Sequence, residues 1–599
     1  MAWYDEAVFY HIYPLGLTGA PKQNDYGEPV HRLNTLLPWV DHIKEIGGSA
    51  LYIGPLFESV GHGYETTDYK KLDSRLGTNE DLTAFVAYCH EQGIKVIFDG
   101  VFNHTGRDFF AFKDIQANRE NSQYKDWYCN VNFWGNNEYN DGFSYDNWGG
   151  YNLLVKLNQK NPAVVDYICD VIRFWVSEFD VDGIRLDAAD VLDFDFMKAL
   201  RRTANEVKPD FWLMGEVIHG DYSRWVNGET LHSVTNYTLH KALYSGHNDH
   251  NYFEIAHTVR RLQNMGTLKL YNFVDNHDVE RIYTKLTNKA HFAPVHVLLY
   301  TLPGVPSIYY GSEFGIEGRK EYGSDDSLRP ALNIEDYKDS VKTNPCTALI
   351  AALGKVRQAV PALSYGSYDE LMLTNRQFAY ARDLDGTRVI VSVNNDDAPA
   401  GMHLAAGNCT AYIGALSGEK VSVQDCHINI TQPANSGEIW VPEGTDLDVK
   451  PVKVVTKTES EAKTNTEDKA ASETATDAKG NKGAEPKIES KESKDIVTAT
   501  ESADAKKNTT NTEKNISAAN EVKDSAKDAS AQAAANTPVD PETITVDWSK
   551  SPESMTVPEL QAAILAKLAG NGPVDAQMKK TVTDNIWHDS LVNWLKSFR

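Results

Sequence analysis

Acidic side chains occur in four short stretches of this 599-residue chain, each at the end of an apolar run, and three of the stretches also contain Arg or His. The stretches are Asp99–His104, Arg185–Asp187, Gly215–Glu216 and Asn276–Asp278. A lone Asp or Glu after a strand is commonly a helix cap, but several carboxylates with Arg and His partners are hard to explain as caps. Carboxyl groups in this company can act as nucleophile, as proton donor and as electrostatic stabiliser.

The second and third stretches carry two carboxyls in contrasting surroundings. Arg185 and Asp187 are two residues apart, so in a strand both side chains point the same way. The guanidinium favours the ionised carboxylate, which suits a nucleophile. Glu216 follows the apolar run Phe211–Met214, where a carboxyl keeps its proton more readily and can act as an acid. A nucleophile and an acid are what glycoside hydrolysis requires, with Asp278 left to stabilise a positively charged sugar.

The elements that must position these stretches alternate through the first 440 residues. The apolar runs that predict strands are Val8–Tyr13, Ala50–Phe57, Lys95–Phe102, Val181–Leu186, Phe211–Val217, the weaker Ser233–Leu239, Leu268–Val274 and Pro306–Tyr310. The patterns that predict helices are Leu36–Ile46, Asn79–Gln92, Pro162–Phe179, Phe196–Val207, Tyr252–Met265 and Phe292–Leu302. Eight strands alternating with helices predict an α/β fold, a (β/α)₈ TIM barrel, with its chemistry at the C-terminal strand ends.

Two segments interrupt this alternation. Residues 105–155 follow the third run, are rich in aromatic residues, Asn and Gly, and are longer than an ordinary connection, which predicts a functional insertion. Residues 359–447 contain short alternating strands such as Val389–Val393, which are typical of an antiparallel β-domain. The barrel itself is therefore assigned to residues 1–104 and 156–358.

The C-terminal part of the chain changes character. Residues 441–547 contain no Phe, Tyr or Trp, and residues 448–545 are predicted to be a disordered linker. Residues 546–599 are predicted to form a small helical module. Its first helix starts at a capping box, Thr556–Glu559, and two further helical stretches are Val574–Ile586 and Trp587–Phe598.

Composition narrows the partners and the compartment. The net charge of −25, from 59 Lys+Arg and 84 Asp+Glu, argues against a nucleic-acid partner. The sequence contains no apolar run long enough to predict a membrane span, and residues 1–6 show neither a basic nor an apolar signal region. None of the six cysteines forms a Cys-x-x-Cys pair, which argues against zinc-ribbon and thioredoxin-type sites. A cytoplasmic protein is the expectation.

The four acidic stretches resemble the short signature regions of the α-amylase family of glycoside hydrolases. Phe98–His104 resembles the first signature, Gly183–Asp187 the nucleophile region, Gly215–Val217 the acid/base region and Phe273–Asp278 the last catalytic region. Their order and spacing also match, over about residues 1–445. The resemblance implies a (β/α)₈ barrel with an inserted domain B after strand three, here residues 105–155, and a β-rich domain C.

The resemblance also implies roles for individual positions. Asp187 matches the nucleophile, Glu216 the general acid/base and Asp278 the transition-state stabiliser. The positions that match groups around the bound sugar are His62, Tyr64, His104, Arg185 and His277. The substrate expected on this basis is an α-glucan oligosaccharide, mainly α-1,4-linked.

Within the family, the pattern is closest to neopullulanases and cyclomaltodextrinases. Leu154–Asn158 is similar to their fifth signature region, and Leu302–Gly311 also favours this group. Asp190 and Val191 replace the Lys-His pair of true α-amylases, which weakens a calcium-associated position. We expect no required cofactor. The sequence leaves open a structural calcium touching Asn103, the oligomeric state, and two alternatives: a transglycosylase or isomerase of the same family, and a catalytically silent glucan-binding subunit.

Overall fold

The computed structural model describes residues 2–266, 268–321 and 324–449, and further along the chain residues 451, 546, 548, 550–552, 555–569, 582 and 595. The described residues fall into two units that divide between residues 488 and 489. Except for residues 448, 449 and 451, the predicted linker lies outside the described residues. No helix in the described part of the chain is both long enough and apolar enough to cross a membrane.

The first unit contains all the strands of the described residues. In chain order they are β1 (Phe9–Ile12), β2 (Ala50–Ile53), β3 (Phe57–Ser59), β4 (Thr66–Leu72), β5 (Lys95–Gly100), β6 (His104–Thr105), β7 (Asn147–Trp148), β8 (Tyr151–Lys156), β9 (Gly183–Leu186), β10 (Trp212–Gly215), β11 (Ser233–Val234), β12 (Tyr271–Asn272), β13 (Val305–Tyr309), β14 (Ser367–Leu373), β15 (Gln377–Leu384), β16 (Thr387–Asn394), β17 (Ala400–Ala405), β18 (Ala411–Gly414), β19 (Lys420–Ser422), β20 (His427–Gln432) and β21 (Ser436–Pro442).

The described residues also form α-helices. They are α1 (Pro14–Leu17), α2 (Leu37–Glu45), α3 (Asn79–Glu91), α4 (Phe110–Asn118), α5 (Pro162–Phe179), α6 (Phe194–Val207), α7 (Tyr237–Asn248), α8 (Tyr252–Asn264), α9 (Ile282–Lys285), α10 (Phe292–Thr301), α11 (Ser340–Thr343), α12 (Pro345–Ala359), α13 (Pro361–Tyr365) and α14 (Val557–Ala569). Every helix predicted in the first 440 residues is present within two residues of its predicted bounds.

Eight parallel strands form the barrel, in the order β11-β10-β9-β5-β2-β1-β13-β12. The ring is closed between β11 and β12 by a single parallel bridge, Thr235 to Tyr271, and by the Asn236 amide, which donates to the Tyr271 carbonyl oxygen at 2.9 Å. Each of the eight predicted runs overlaps a strand of this barrel, so the predicted fold class is confirmed.

The weak run Ser233–Leu239 is only partly a strand. β11 ends at Val234 and α7 begins at Tyr237, because the side chain of Asn236 accepts a hydrogen bond from the Leu239 amide and caps the helix. The second half of the predicted strand is therefore wrong. Asn236 is the residue that marks the change from strand to helix.

Barrel strands bury both faces, and the alternation of side chains along them divides the core into two layers. On β1, Phe9 packs inside the barrel with Trp212 and Tyr271, whereas Tyr10 and Ile12 belong to the larger core that also includes residues of the surrounding helices. The Phe9 and Trp212 rings are stacked with centroids 5.0 Å apart. Aromatic packing therefore fills the barrel beneath its C-terminal mouth.

Two further layers join the barrel in the first unit. The insertion contains α4 and the three-stranded sheet β6-β8-β7, in which His104 and Thr105 pair with Lys156 and Val155. After the barrel, a six-stranded sheet β14-β15-β16-β21-β18-β19 and a two-stranded sheet β17-β20 form the antiparallel β-region. The bounds that divide these regions into domains remain predictions.

The second unit is described mainly through α14. Its capping box is present, since the Thr556 amide donates to Glu559 Oε2 at 2.7 Å. Leu560, Ile564 and Leu565 lie on one side of the helix and are buried in one apolar cluster. Apart from residues 582 and 595, the two further predicted helices lie outside the described residues.

Candidate active site

The catalytic candidates lie at the C-terminal ends of barrel strands. Asp187 directly follows β9, Glu216 directly follows β10, and Asp278 lies six residues beyond the end of β12. Because the strands are parallel, these ends open at the same mouth of the barrel. Arg185 on β9 and Asp99 on β5 point to the same mouth and are fully or nearly fully buried.

One guanidinium holds three carboxyl groups together. Arg185 Nη1 lies 2.9 Å from an oxygen of Asp99 and 2.9 Å from an oxygen of Asp187, and its Nη2 lies 3.0 Å from Glu216 Oε2. The expected Arg185–Asp187 contact is therefore present, and the same side chain also reaches the expected acid. Nucleophile and acid candidates share one cation, which fixes them side by side.

Burial, however, works against the ionised state that the sequence argument expected for Asp187. Its pKa is raised well above the usual range, first by burial and then, against the opposing effect of Arg185, by the charges of Glu216 and Asp99. Burial likewise raises the pKa of Asp99, although Arg185 and the Tyr52 hydroxyl oppose it. The expectation considered Arg185 alone; one cation among three carboxyls leaves an excess of negative charge, so Asp187 binds a proton more readily than an isolated aspartate does.

Glu216 is oriented by groups from two neighbouring elements. Its Oε2 accepts a hydrogen bond from the Ala188 amide at 3.1 Å, and its Oε1 accepts one from the Tyr237 hydroxyl at 3.3 Å. Ala188 has φ 46° and ψ 42°, a left-handed conformation that turns the chain directly after Asp187. The same turn that follows the candidate nucleophile thus presents an amide to the candidate acid.

Asp278 has a different electrostatic environment. Its carboxylate lies 3.1 Å from His277 Nε2 and 3.0 Å from Arg329 Nη2. Burial opposes ionisation, but the positive charge of the protonated His277 first, and then that of Arg329, outweigh burial and hold the pKa of Asp278 well below its usual range. Because burial lowers the pKa of His277 to about 3, that imidazole is neutral at pH 7. Arg329 is therefore the adjacent charged partner that keeps Asp278 ionised.

Tyr64 and His277 form a contact at the centre of the site. The Tyr64 hydroxyl lies 2.5 Å from His277 Nε2 and 3.3 Å from Asp99 Oδ2, and the two rings are stacked with an interplanar angle of 8°. Tyr13, which the sequence analysis did not select, stacks on His277 with ring centroids 5.9 Å apart. These parallel rings join the segments that follow β1, β3 and β12.

The other two candidates lie around Tyr64. His62 is half exposed, and its Nε2 lies 3.1 Å from Glu65 Oε1. His104 is buried, burial lowers its pKa to about 3, and its Nε2 lies 3.1 Å from the Tyr64 carbonyl oxygen. The structure therefore brings all eight predicted residues into one region. It places His104 against the backbone of Tyr64, where it positions the tyrosine.

Sequence reasoning missed Arg329 and Tyr237. Arg329 lies in an irregular segment after β13, contacts Asp278, and donates from Nε to the His277 carbonyl oxygen at 3.0 Å. Tyr237 is the first residue of α7, inside the run that was predicted as a strand. Tyr237 could have been selected from its position just beyond the end of a barrel strand, whereas no hydrophobic periodicity points to Arg329.

Asn103, left open by the sequence as a contact for a structural calcium ion, is a buried residue next to His104. Asn103 Oδ1 is buried and lacks a hydrogen-bond partner among the described residues. Calcium binds six to eight oxygen atoms, most of them from carboxylates and carbonyls. Within the described part of the chain, no group of three or more His, Cys, Asp or Glu side chains is arranged to hold a metal ion.

Comparisons with known proteins agree with this geometry. Residues 32–355 match the family model described as the α-amylase catalytic domain. A cyclomaltodextrinase from a Bacillus species is 30% identical over 446 residues, covering 70% of this chain and 78% of the relative. A cyclomaltodextrinase from Thermoanaerobacter pseudethanolicus is 32% identical over 419 residues, covering 66% of this chain and 71% of the relative.

Solved structures show the same similarity. A structure described as a cyclomaltodextrinase superposes with a TM-score of 0.65 at 26% identity, covering 73% of this chain and 78% of that one. A debranching enzyme from Nostoc punctiforme gives a TM-score of 0.63 at 25% identity, covering 73% and 98% of the two chains. The family model spans more than half of the sequence, and the chain belongs to the α-amylase family of glycoside hydrolases.

Proposed function

We propose that this enzyme is a retaining hydrolase that cleaves α-glucosidic bonds, mainly α-1,4, in maltodextrins, maltooligosaccharides or cyclodextrins. The observation that carries the proposal is the shared contact of Arg185 with Asp187 and Glu216, which places a nucleophile and an acid side by side at the barrel mouth. Relatives named cyclomaltodextrinase support the substrate class. A relative from Thermoactinomyces vulgaris, 28% identical, is named neopullulanase 2.

The first chemical step follows from the charges in the cluster. A proton on Glu216 removes one of the negative charges that raise the Asp187 pKa, while Arg185 favours the Asp187 carboxylate that the step requires. The Asp187 carboxylate then attacks the anomeric carbon and forms a glycosyl ester, while the glycosidic bond breaks and Glu216 gives its proton to the leaving oxygen. Asp278, ionised beside Arg329, stabilises the positive charge that develops on the sugar.

The second step returns the site to its starting state. Glu216, now a carboxylate, accepts a proton from water as the water oxygen attacks the anomeric carbon, and Asp187 leaves as a carboxylate. The Ala188 amide and the Tyr237 hydroxyl hold Glu216 in place for both transfers. We assign the binding of the sugar to Tyr64, His277 and His62, and the positioning of Tyr64 to His104.

Product analysis tests the proposal and its alternative. Purified full-length enzyme is incubated with maltotriose, pullulan and β-cyclodextrin, and products are resolved by anion-exchange chromatography, with Asp187→Asn as the background. We expect shorter glucans from at least one substrate. Products longer than the substrate as the main outcome would favour a transglycosylase. If a correctly folded enzyme released no product from any of the three substrates, the proposal would be wrong.

We propose that the chemistry requires no metal ion and no organic cofactor. The three carboxylates suffice for the steps above, and Asp190 and Val191 depart from the calcium-associated pattern. Initial rates on maltotriose should therefore change less than about twofold after treatment with EDTA. Inactivation that calcium reverses would contradict this. A calcium ion that raises only the melting temperature would not.

We further propose that the enzyme works in the cytoplasm. Each of the six cysteines is described and none is in a disulfide, as a reducing compartment favours. A relative from Bacillus subtilis, 28% identical over 418 residues, is named intracellular maltogenic amylase. Fractionation of the source cells, with immunoblotting of the full-length chain, tests the location; recovery in the culture medium would contradict it.

A further inference from the structure

The insertion carries an open groove that lies outside the acidic cluster. It has a volume of about 690 Å³ and is lined by the segment from Asn130 to Trp134, by Ser144 to Asp146, and by Glu120. None of these lining residues is among the groups that contact Asp187, Glu216 or Asp278 in the described part of the chain. The groove therefore calls for an explanation of its own.

Trp134 is the exposed tryptophan that lines this groove. Its side chain is 98% exposed, whereas the other exposed large apolar residues among those described range from 37% to 55%. An indole with almost its whole surface in water contributes nothing to a core, and tryptophan is buried on average. Trp134 thus presents both faces of a large aromatic ring to a ligand.

The backbone beneath this ring is held in place. Asn132 pairs with Ser144 through two backbone hydrogen bonds of 2.8 and 3.0 Å, and its side-chain oxygen accepts from the Trp134 amide at 3.0 Å. Gly135 packs so closely on the Ser144 side chain that a Cβ atom would clash there. The platform is therefore ordered before any ligand arrives, which reduces the entropy lost on binding.

The neighbouring aromatic residue is anchored as well. The Arg119 guanidinium lies 5.6 Å from the centroid of the half-buried Phe133 ring and donates to the backbone carbonyl oxygens of Asp141 and Gly142 at 2.9 and 2.8 Å. Phe133 in turn packs on the buried Phe143, with ring centroids 5.7 Å apart. The residue preceding Trp134 is thereby tied to the core of the insertion.

Polar groups surround the ring with the chemistry of a sugar site. Asn130 donates from its amide to Asp146 Oδ2 at 2.8 Å, and Glu120 is exposed at the rim. Amide and carboxylate groups bind hydroxyls, and an exposed aromatic face packs against the C–H face of a pyranose. Two carboxylates exclude an anionic ligand and suit a neutral, hydroxyl-rich one.

We propose that this groove is a second, non-catalytic binding site for an α-glucan chain, with Trp134 as its stacking platform. The choice of α-glucan rests on the proposed function. A site on the insertion would hold a long substrate to the enzyme while a different segment, or a different chain, is cleaved. Short substrates that fill only the barrel mouth would gain nothing from it.

Titration calorimetry on the full-length chain tests the proposal. Asp187→Asn serves as the host because it stops turnover and leaves the probes, maltoheptaose and β-cyclodextrin, intact. We expect two classes of site in this host. Adding Trp134→Ala should weaken one class by at least about tenfold and spare the other. Trp148→Ala is the matched control, because Trp148 is also exposed on the insertion but does not line the groove.

Each outcome separates this site from the proposed function. A single class of site that Trp134→Ala leaves unchanged, in an enzyme that hydrolyses maltoheptaose, overturns the second site and keeps the function. Two classes of site in an enzyme that hydrolyses none of its expected substrates sinks the function and keeps the site. A Trp134→Ala variant that changes the sedimentation coefficient but not glucan affinity assigns the surface to a second copy of the chain and also overturns the proposal.

Discussion

Arg185 contacts Asp99, Asp187 and Glu216 with one guanidinium, so the charge on each carboxyl depends on the protons held by the other two. At the scale of single residues, this coupling is what the mechanism uses. It also means that the loss of either catalytic candidate changes the electrostatics of the other. Substrates with different leaving groups distinguish the loss of the nucleophile from the loss of the acid.

Glu216→Gln and Asp187→Asn are expected to fail in different ways. Fluoride needs little protonation on leaving, so Glu216→Gln should lose about 10²–10⁴-fold on maltooligosaccharides yet still form a glycosyl-enzyme from α-maltosyl fluoride. Asp187→Asn should form no covalent adduct with either substrate. Mass spectrometry of the intact variants checks this, and an adduct on the Asp187→Asn chain would mean that the roles are misassigned.

Arg329 is expected to keep Asp278 ionised throughout the acidic limb of the pH profile, which the higher pKa of Asp187 sets in the unmodified enzyme. It helps to lower the pKa of Asp278, so removal of its charge lets burial raise that pKa. The ionised Asp278 is then lost at a higher pH as the solution is acidified. For Arg329→Gln we expect kcat/KM to fall about 10²-fold, with its acidic limb displaced to higher pH.

A matched control separates this effect from a general change in surface charge. Arg319→Gln removes an exposed guanidinium from the same segment, 3.6 Å from Glu280. The pH profile of that variant should coincide with the profile of the unmodified enzyme. An unshifted acidic limb in Arg329→Gln would show that Asp278 owes its ionised state to other groups.

At the scale of elements, the strand ends decide how accurately these residues meet. Gly215 is the last residue of β10 and precedes Glu216. A Cβ atom there would clash with the Leu231 side chain and lie 2.8 Å from Ala189 Cβ, next to the residue whose amide holds Glu216. Close packing at one glycine thus protects the position of the acid.

Gly215→Ala should therefore lower kcat/KM at least about tenfold and destabilise the fold by about 1–3 kcal/mol. Gly228→Ala is the control, since no atom lies within 4 Å of the position where its Cβ would be. Steady-state kinetics and thermal unfolding of both variants provide the measurement. Full activity in Gly215→Ala would show that β10 tolerates a shift at its end.

The sequence was a good guide wherever an element is defined by its own periodicity. α5 was predicted with its observed bounds because Asn161, Pro162 and a continuous apolar face define its start and extent. β11 was predicted too long because its two residues are followed at once by a helix start. Arg329 reaches the site only through tertiary packing, and the pKa of Asp187 depends on three side chains from different strands. No local pattern contains that information.

At the scale of the whole molecule, the barrel-containing unit holds every residue assigned to catalysis. The composition of residues 448–545 lacks the aromatic residues that a packed core requires. α14 buries its apolar face in a cluster with residues of its own unit. Nothing in the proposed mechanism draws on the chain beyond the β-region.

A chain that ends after residue 447 should therefore keep the turnover of the full-length enzyme on soluble maltodextrin, within about twofold. Its thermal unfolding should retain the main transition of the full-length chain. Loss of most activity with that transition intact would show that the C-terminal part of the protein contributes to the site.

The closure of the barrel through Thr235 and Asn236 has a consequence for motion. The Asn236 side chain caps α7 and also donates to Asn272 Oδ1 at 2.9 Å, so one residue ties β11, β12 and the start of α7 together. Opening the ring at this seam would carry Tyr237 away from Glu216. Deuterium uptake at the Asn236 amide therefore measures how often the enzyme visits a state in which Tyr237 no longer holds Glu216 in place.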